Sequence, residues 1–356
     1  MKLEQLGFNP KLEEYVRKNN LSSFDIGRII AEHKERYVLS TEKGEFEAEI
    51  TGNMRFTARN REDFPAVGDW VAATVYDSDF AIIHKILSRF STIKRQAVGQ
   101  FAEIQIIAAN IDYAFIIQAV DRDFNINRLE RYLTICNSST VSPVIVLNKT
   151  DLINEERLGE LIGSIKLRIK DIPVIAISNE TQQGYDSLIA CIKKGSTYCL
   201  LGSSGVGKSS LVNNLSGKNL MLTREISHST NKGRHVTSHR ELVILDNGGI
   251  LIDNPGMREV GIADLTEGLD ITFDTILKFS RFCKFKDCTH TNEVGCYILN
   301  AVENGDLDRA SYENYLKMEK EKAYFDSTLV ERRKKEKDFG KIMKNYKKDI
   351  KRNSSD

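Results

Sequence analysis

Apolar and polar residues alternate with a period of two through the first quarter of the chain. The runs at 27–30, 37–39, 46–50, 69–75 and 81–83 follow that rule, with turn residues at Lys43-Gly44 and Thr51-Gly52-Asn53. About five short strands in roughly seventy residues predict a small closed β-barrel of the OB-fold kind over 21–95. Ahead of it, residues 1–20 set Leu3, Leu6 and Phe8 before Leu12, Tyr15 and Val16, the pattern of a short amphipathic helical extension.

From residue 102 the pattern changes. Apolar runs at 102–107, 111–120, 143–147, 173–177 and 197–201 read as buried strands, and 126–136, 155–169 and 185–193 carry helical spacing between them. This alternation predicts an α/β domain with a mainly parallel sheet over 96–272. Two further apolar strands, 241–245 and 250–253, flank Asp246-Asn247-Gly248-Gly249, a strong hairpin signal. No internal repeat is visible, and 273–356 reads as a helical end domain.

Composition adds bounds. A chain of 356 residues, 41% hydrophobic and 28% charged, is expected to hold two or three soluble domains. No apolar run approaches the roughly 20 residues that a membrane span needs, and no secretory leader is visible, so a cytoplasmic protein is expected. Residues 331–352 hold eleven Lys/Arg against four Asp/Glu, a local +7 in a chain of net charge +1, so the rest carries −6. Such a basic tail suits RNA, with a solvated tail as the bland alternative. Arg55, Arg59, Arg61, Lys85, Arg89, Lys94 and Arg95 give the barrel a sparser positive charge.

Chemistry concentrates in two loops. Gly202-Ser203-Ser204-Gly205-Val206-Gly207-Lys208-Ser209, followed by Ser210, lies between an apolar strand and a helix. Glycines there let backbone N–H groups turn around phosphates at a helix N-terminus. Lys208 would reach the outer phosphates and Ser209 would ligate Mg²⁺. Asn148-Lys149-Thr150-Asp151 follows the strand 143–147. Asp151 can accept from the ring N–H and exocyclic amine of guanine, Asn148 would bond the other base edge, and the Lys149 stem can cover a ring face. Alone this tetrapeptide also suits a helix N-cap; beside the phosphate loop it makes a GTP site the better reading than an ATP site. Ser178 and Asn179 sit where this fold class backs the base, although an ordinary strand-to-helix turn would look the same. The base loop precedes the phosphate loop, the reverse of an ordinary Ras-like GTPase, so the domain is expected to be circularly permuted.

Downstream, Asp253-Asn254-Pro255-Gly256 ends a strand. Asp253 can hold a Mg²⁺-bound water and the Gly256 N–H can meet the γ-phosphate. Met257 follows, where many GTPases place a glutamine that orients water. The catalytic group is therefore sought in the polar loop 227–239, where His235 is the candidate, a solvated or partner-contacting histidine being the alternative. Thr237 is expected as the second protein ligand of Mg²⁺, with Thr230 as the fallback.

Three of six cysteines crowd beside a histidine as Cys283-x4-Cys288-x-His290-x5-Cys296. Three thiolates and an imidazole make a closed tetrahedral set suited to one structural Zn²⁺. Cys136, Cys191 and Cys199 lie in apolar contexts and read as core.

The loop order, Gly233-Arg234-His235, Asp253-x-Pro255-Gly256 and the cysteine set together resemble the small-subunit-dependent GTPase family of the ribosome, RsgA, also called YjeQ. The resemblance covers about residues 24 to 325. It implies an N-terminal OB-fold barrel, a circularly permuted P-loop GTPase domain and a C-terminal helical zinc domain. It also implies binding to the small (30S) ribosomal subunit and its rRNA late in maturation, with GTP hydrolysis stimulated by that subunit. His235 matches the family's proposed catalytic histidine, and Cys283, Cys288, His290 and Cys296 its zinc ligands. Val236 departs from the family pattern, where threonine is expected, which moves the Mg²⁺ assignment to Thr237. A monomer is expected. Two rival readings are a permuted GTPase acting on the large subunit, and a nucleotide-gated RNA-binding adaptor in which hydrolysis is incidental.

Overall fold

Five strands form where the alternating runs lie, in a computed structural model that describes residues 2–33, 36–76, 79–96, 104–121, 124–217, 240–253 and 266–326. They are β1 (Asp25–His33), β2 (Arg36–Thr41), β3 (Gly44–Ile50), β4 (Trp70–Val75) and β5 (Phe80–Ile86). Strand β1 pairs antiparallel with β2 and with β4, β2 with β3, and β4 with β5, while β3 and β5 run parallel. The β1–β4 ladder closes the ring, so the barrel leaves no raw sheet edge there. Inward residues Ile29, Leu39, Val71 and Ile83 fill it.

A bulge between Ile29 and Ala31 redirects β1. Its first half faces β4, whereas Ala31 and Glu32 pair with Glu241 and Arg240. The barrel is thereby hydrogen-bonded to the edge of the next domain's sheet. A bulge does this by adding twist and bending one strand between two ladders.

The N-terminal segment is part of this layer. Helix α1 (Pro10–Lys18) is capped by Asn9, whose side chain accepts from the N–H groups of Lys11 and Leu12. Leu6, Leu12 and Leu21 pack with Trp70 and Leu87, and Phe8 meets Trp70 edge-on at 5.0 Å. Arg28 is 1% exposed and clamps three segments. Its guanidinium donates to the carbonyls of Leu6 (2.6 Å), Gly68 (3.1 Å) and Asn110 (3.0 Å), and lies 5.5 Å from the Trp70 ring centroid. Burial pulls its pKa down to about 10, against the opposing pull of Asp112 and Asp69. Replacing Arg28 by methionine leaves the desolvated Leu6 and Asn110 carbonyls without their donor, while the Gly68 carbonyl keeps the Asn110 Nδ2 bond, and is expected to cost about 2–4 kcal/mol. Denaturation followed by the fluorescence of Trp70, the single tryptophan, reads this layer directly. An unchanged midpoint would show that the clamp adds nothing.

The second domain's sheet runs β10 (Val174–Ala176), β9 (Ser142–Asn148), β8 (Tyr113–Ala119), β11 (Thr197–Leu201), β13 (Ile250–Asp253), β12 (Arg240–Ile244). All neighbours are parallel except the β12–β13 hairpin. Helices α3 (Ile126–Ser138), α4 (Glu155–Arg168), α5 (Tyr185–Ala190) and α6 (Lys208–Ser216) alternate with them. One expected strand behaves differently. The run at 102–107 becomes β7 (Ile104–Ala109), which pairs antiparallel with β6 (Thr92–Gln96) outside the large sheet. Both edges of β8 are already taken by β9 and β11, so the sheet has no place for it beside its sequence neighbour.

The last described part is helical: α7 (Thr266–Thr272), α8 (Asp274–Ser280), α9 (Tyr297–Asn304) and α10 (Arg309–Asp326). Leu269, Ile276, Ile298 and Met318 share one core, so α7 packs with the helices that follow it. Helix α7 also lies hard against α3: a Cβ on Gly268 would meet Ser138 Oγ at 2.1 Å and the Thr134 carbonyl at 2.3 Å. Among the described residues no helix is long and apolar enough to cross a membrane.

Candidate guanine-nucleotide site and metal centre

Parallel strands deliver their loops to one end of the sheet, and the three candidate loops follow β9, β10 and β11. After β9, Lys149 takes a left-handed backbone (φ 67°) and turns the chain into a short 3-10 segment, Thr150–Leu152. After β11, Gly202, Gly205 and Gly207 hold φ of 150°, 80° and 98°. Gly207 ties the loops together, since a Cβ there would lie 2.2 Å from Asn148 Nδ2 and 2.6 Å from Asn179 Nδ2. That close approach exists because the loops are fastened to each other.

Asn148 Nδ2 donates to the Val206 carbonyl at 2.7 Å, and its Oδ1 accepts from the Asn179 N–H at 3.1 Å. Asn179 Nδ2 donates to the Gly207 carbonyl at 2.7 Å. The side chain of Asn148 is buried, with one Nδ2 hydrogen committed and the second left for a base edge. Ser178 Oγ donates to Asp151 Oδ1 at 2.5 Å and accepts from the N–H groups of Glu180 and Thr181. This orients the Asp151 carboxylate while leaving its other oxygen for a ligand. Lys149 Nζ pairs with Asp121 Oδ2 at 2.9 Å, which holds the lysine stem along the rim. Lys208 Nζ lies back on its own loop, donating to the carbonyls of Gly202 (2.7 Å) and Ser203 (2.6 Å). Ser204 is half-buried in the same loop, and Ser209 and Ser210, also half-buried, lie in the first turn of α6.

Sequence reasoning missed two side chains that hold this arrangement. The Tyr185 hydroxyl donates to Asn179 Oδ1 at 2.8 Å, and Asn214 Nδ2 donates to the Asn179 carbonyl and the Tyr185 oxygen. Burial raises the Tyr185 pKa and so keeps it a neutral donor. No local pattern marks these residues, which read as ordinary helix positions. Asp253 closes β13 opposite Glu241. Its side chain lies outside the described residues, as do Thr230, His235, Thr237 and Gly256.

The cysteine set does converge. Donor atoms of Cys283, Cys288, His290 and Cys296 all lie within 4.8 Å of one another. Cys283 Sγ is 4.0 Å from Cys296 Sγ and 3.6 Å from His290 Nδ1, and Cys296 Sγ is 3.7 Å from that nitrogen. A tetrahedral Zn²⁺ with metal–sulfur bonds of about 2.3 Å requires sulfur–sulfur edges of roughly 3.8 Å and slightly shorter sulfur–nitrogen ones. The residues present fit that ion. Burial lowers the His290 pKa, which favours the neutral imidazole a metal takes, and the Tyr312 hydroxyl donates to the His290 carbonyl at 2.6 Å.

Residues 86–263 match the family model described as RsgA GTPase. A protein of Bacteroides thetaiotaomicron named Small ribosomal subunit biogenesis GTPase RsgA 1 is 40% identical over 348 residues, 97% of each chain. This chain belongs to the RsgA GTPase family. Among solved structures, RsgA-like architecture recurs in YloQ, titled a circularly permuted GTPase, at a TM-score of 0.59 and 25% identity. That match covers 83% of this chain and 93% of the other. YjeQ from Thermotoga maritima shares the fold at a TM-score of 0.60 and 24% identity, over 83% of this chain and 96% of its own. The RsgA fold here is thus a closed five-stranded barrel, a circularly permuted GTPase domain and a helical module carrying the Cys₃His cluster.

Proposed function

We propose that this protein hydrolyses GTP to GDP and phosphate and acts in the biogenesis of the small ribosomal subunit, with turnover raised by that subunit. The observation that carries this reading is the fastening of the base loop to the phosphate loop, Asn148 to Val206 and Asn179 to Gly207, in a chain 40% identical to a small-subunit biogenesis GTPase. Loops 58 residues apart in sequence are held at one place, as a single nucleotide spanning both requires.

In this reading Asp151 takes the ring N–H and amine of guanine, and the N–H groups of Gly202 to Ser210 take the phosphates. Lys208 exchanges its two carbonyl partners for phosphate oxygens, whose negative charge adds a Coulombic attraction that a neutral carbonyl lacks. Ser209 and Thr237 would hold Mg²⁺, which would supply charge neutralisation at the outer phosphates, with Asp253 as a further carboxylate available to a water there. The Gly256 N–H meets the γ-phosphate and His235 orients the attacking water. Cys283, Cys288, His290 and Cys296 hold one Zn²⁺ that ties the C-terminal module together. The barrel and the basic tail 331–352 contact rRNA. The protein works in the cytoplasm, as a monomer.

GTP turnover measured with purified small or large subunits tests the reading. Small subunits are expected to raise it by at least about tenfold, since ordering catalytic groups in trans is worth far more in this chemistry. The stimulation should fall as salt rises, because phosphate contacts release counterions. Equal turnover with either subunit, or with none, overturns it.

A further inference from the structure

His290 reaches the thiols from a left-handed backbone, with φ at 61°, a region that few residues other than glycine enter. The nitrogen that lies 3.6 Å from Cys283 Sγ and 3.7 Å from Cys296 Sγ is Nδ1. That atom is bonded to the ring carbon nearest the main chain, so its place follows the backbone more closely than that of Nε2. What holds the loop 289–293 therefore decides where the ligand atom lies.

One carboxylate gathers that loop. Glu293 Oε1 accepts from the Thr289 N–H at 2.8 Å and from the Thr289 hydroxyl. Its Oε2 accepts from the N–H groups of Thr291 at 3.0 Å and Asn292 at 3.2 Å. These donors, the Thr289 hydroxyl foremost, hold the Glu293 pKa down at about 2, so the group is ionised and accepts only. The peptide after His290 is fixed at both ends, its N–H on Glu293 and its carbonyl on the Tyr312 hydroxyl. The Glu293 carbonyl also accepts the N–H of Cys296, at 3.1 Å.

We infer that Glu293 is a positioning residue for the metal centre, its carboxylate holding the main chain of 289–292 in the conformation that turns His290 Nδ1 onto the thiolates. This rests on the zinc reading above. Attraction to the ion is not its role: three thiolates outweigh one dication, so the loaded centre is anionic and repels a carboxylate. Nor is it needed merely to satisfy donors. Thr289, Thr291 and Asn292 are exposed, and water could meet each N–H, but separate waters would not hold all three to one side chain. Without the carboxylate the left-handed backbone at His290 relaxes, and metal binding has to restore it.

The test uses the full chain in four forms: wild type, Glu293→Ala, His290→Ala and the double variant. Zinc affinity is measured by competition with a chromophoric chelator, and Co²⁺ is substituted as a spectroscopic probe of the ligand set. Glu293→Ala is expected to weaken zinc about 10–100-fold, as loss of a group that orients a metal-bound histidine does. Between His290→Ala and the double variant, affinity should differ by less than about twofold, because the effect of Glu293 passes through the imidazole. A merely structural Glu293 would weaken zinc equally in both backgrounds. His290→Ala should also shift the Co²⁺ d–d bands. Equal losses in the two backgrounds, or unchanged zinc affinity in Glu293→Ala, overturn the inference. So does a Co²⁺ spectrum that stays unchanged in His290→Ala and shifts in Glu293→Ala, which would make the carboxylate itself the fourth ligand. Should Glu293→Ala fail to fold in a thermal melt, Glu293→Gln keeps the shape and one acceptor oxygen and is read the same way, with a smaller loss. A wild type that takes up no zinc would sink the zinc reading itself, an outcome distinct from one that binds zinc with equal losses.

Discussion

Replacing Asp151 by asparagine is expected to weaken GDP binding on the order of 10²–10⁴-fold while leaving the fold intact. The carboxylate offers two charged acceptors to the guanine edge, and each such bond is worth about 1.5–3 kcal/mol. An amide keeps one acceptor and turns the other position into a donor that meets the exocyclic amine head-on. The loop survives because the asparagine carbonyl can still accept from Ser178 Oγ and the residue is exposed. Xanthosine diphosphate, with a carbonyl in place of that amine, should gain affinity in the variant. Calorimetry with Mg²⁺ and the two nucleotides reads both effects. Unchanged GDP affinity would mean that the purine lies elsewhere, and the assignment of this loop would fall.

The second large effect is expected at the Cys₃His cluster. Replacing Cys283 by serine leaves Cys288, His290 and Cys296 and should weaken zinc at least about 10²-fold, since four ligands share a binding free energy of roughly 10–16 kcal/mol. The consequence is structural. The segment between α8 and α9 is largely exposed and short of core, with Phe282 68% and Val294 85% exposed. Without a bound ion its two halves are joined by little beyond the Lys284 N–H to Gly295 carbonyl bond of 3.2 Å. Amide hydrogen exchange over 283–296 is expected to accelerate in the variant, and in wild type after chelation, together with loss of one zinc per chain by elemental analysis. A metal-free wild type that keeps its protection would show that the four side chains pack without an ion.

Much of this site was legible because its chemistry is local. Glycines at 202, 205 and 207 followed by Lys208 spell the candidate phosphate loop within eight residues, and all three take a positive φ. Asn148 to Asp151 after an apolar strand is equally local, and so is the spacing of Cys283, Cys288, His290 and Cys296. The barrel strands were legible for the same reason, since alternation is a property of neighbouring residues. The run at 102–107 shows where this stops. A half-buried strand looks alike in sequence whether it joins a large sheet or pairs with Thr92–Gln96, and the choice was made by which edges were already filled.

Sequence by itself therefore determined the element types, the reversed order of the two candidate loops and the spacing that gathers the Cys₃His cluster, because each depends on side chains within a few positions of one another. Tertiary structure decided how they meet. The closure of β1 onto β4, the bulge that hands β1 to the GTPase sheet, the fastening of Asn148 to Val206 and the seating of α10 on Glu130 join residues up to 184 positions apart. Such contacts form where desolvated donors and acceptors must find partners, and which partner lies within reach is a property of the packed chain.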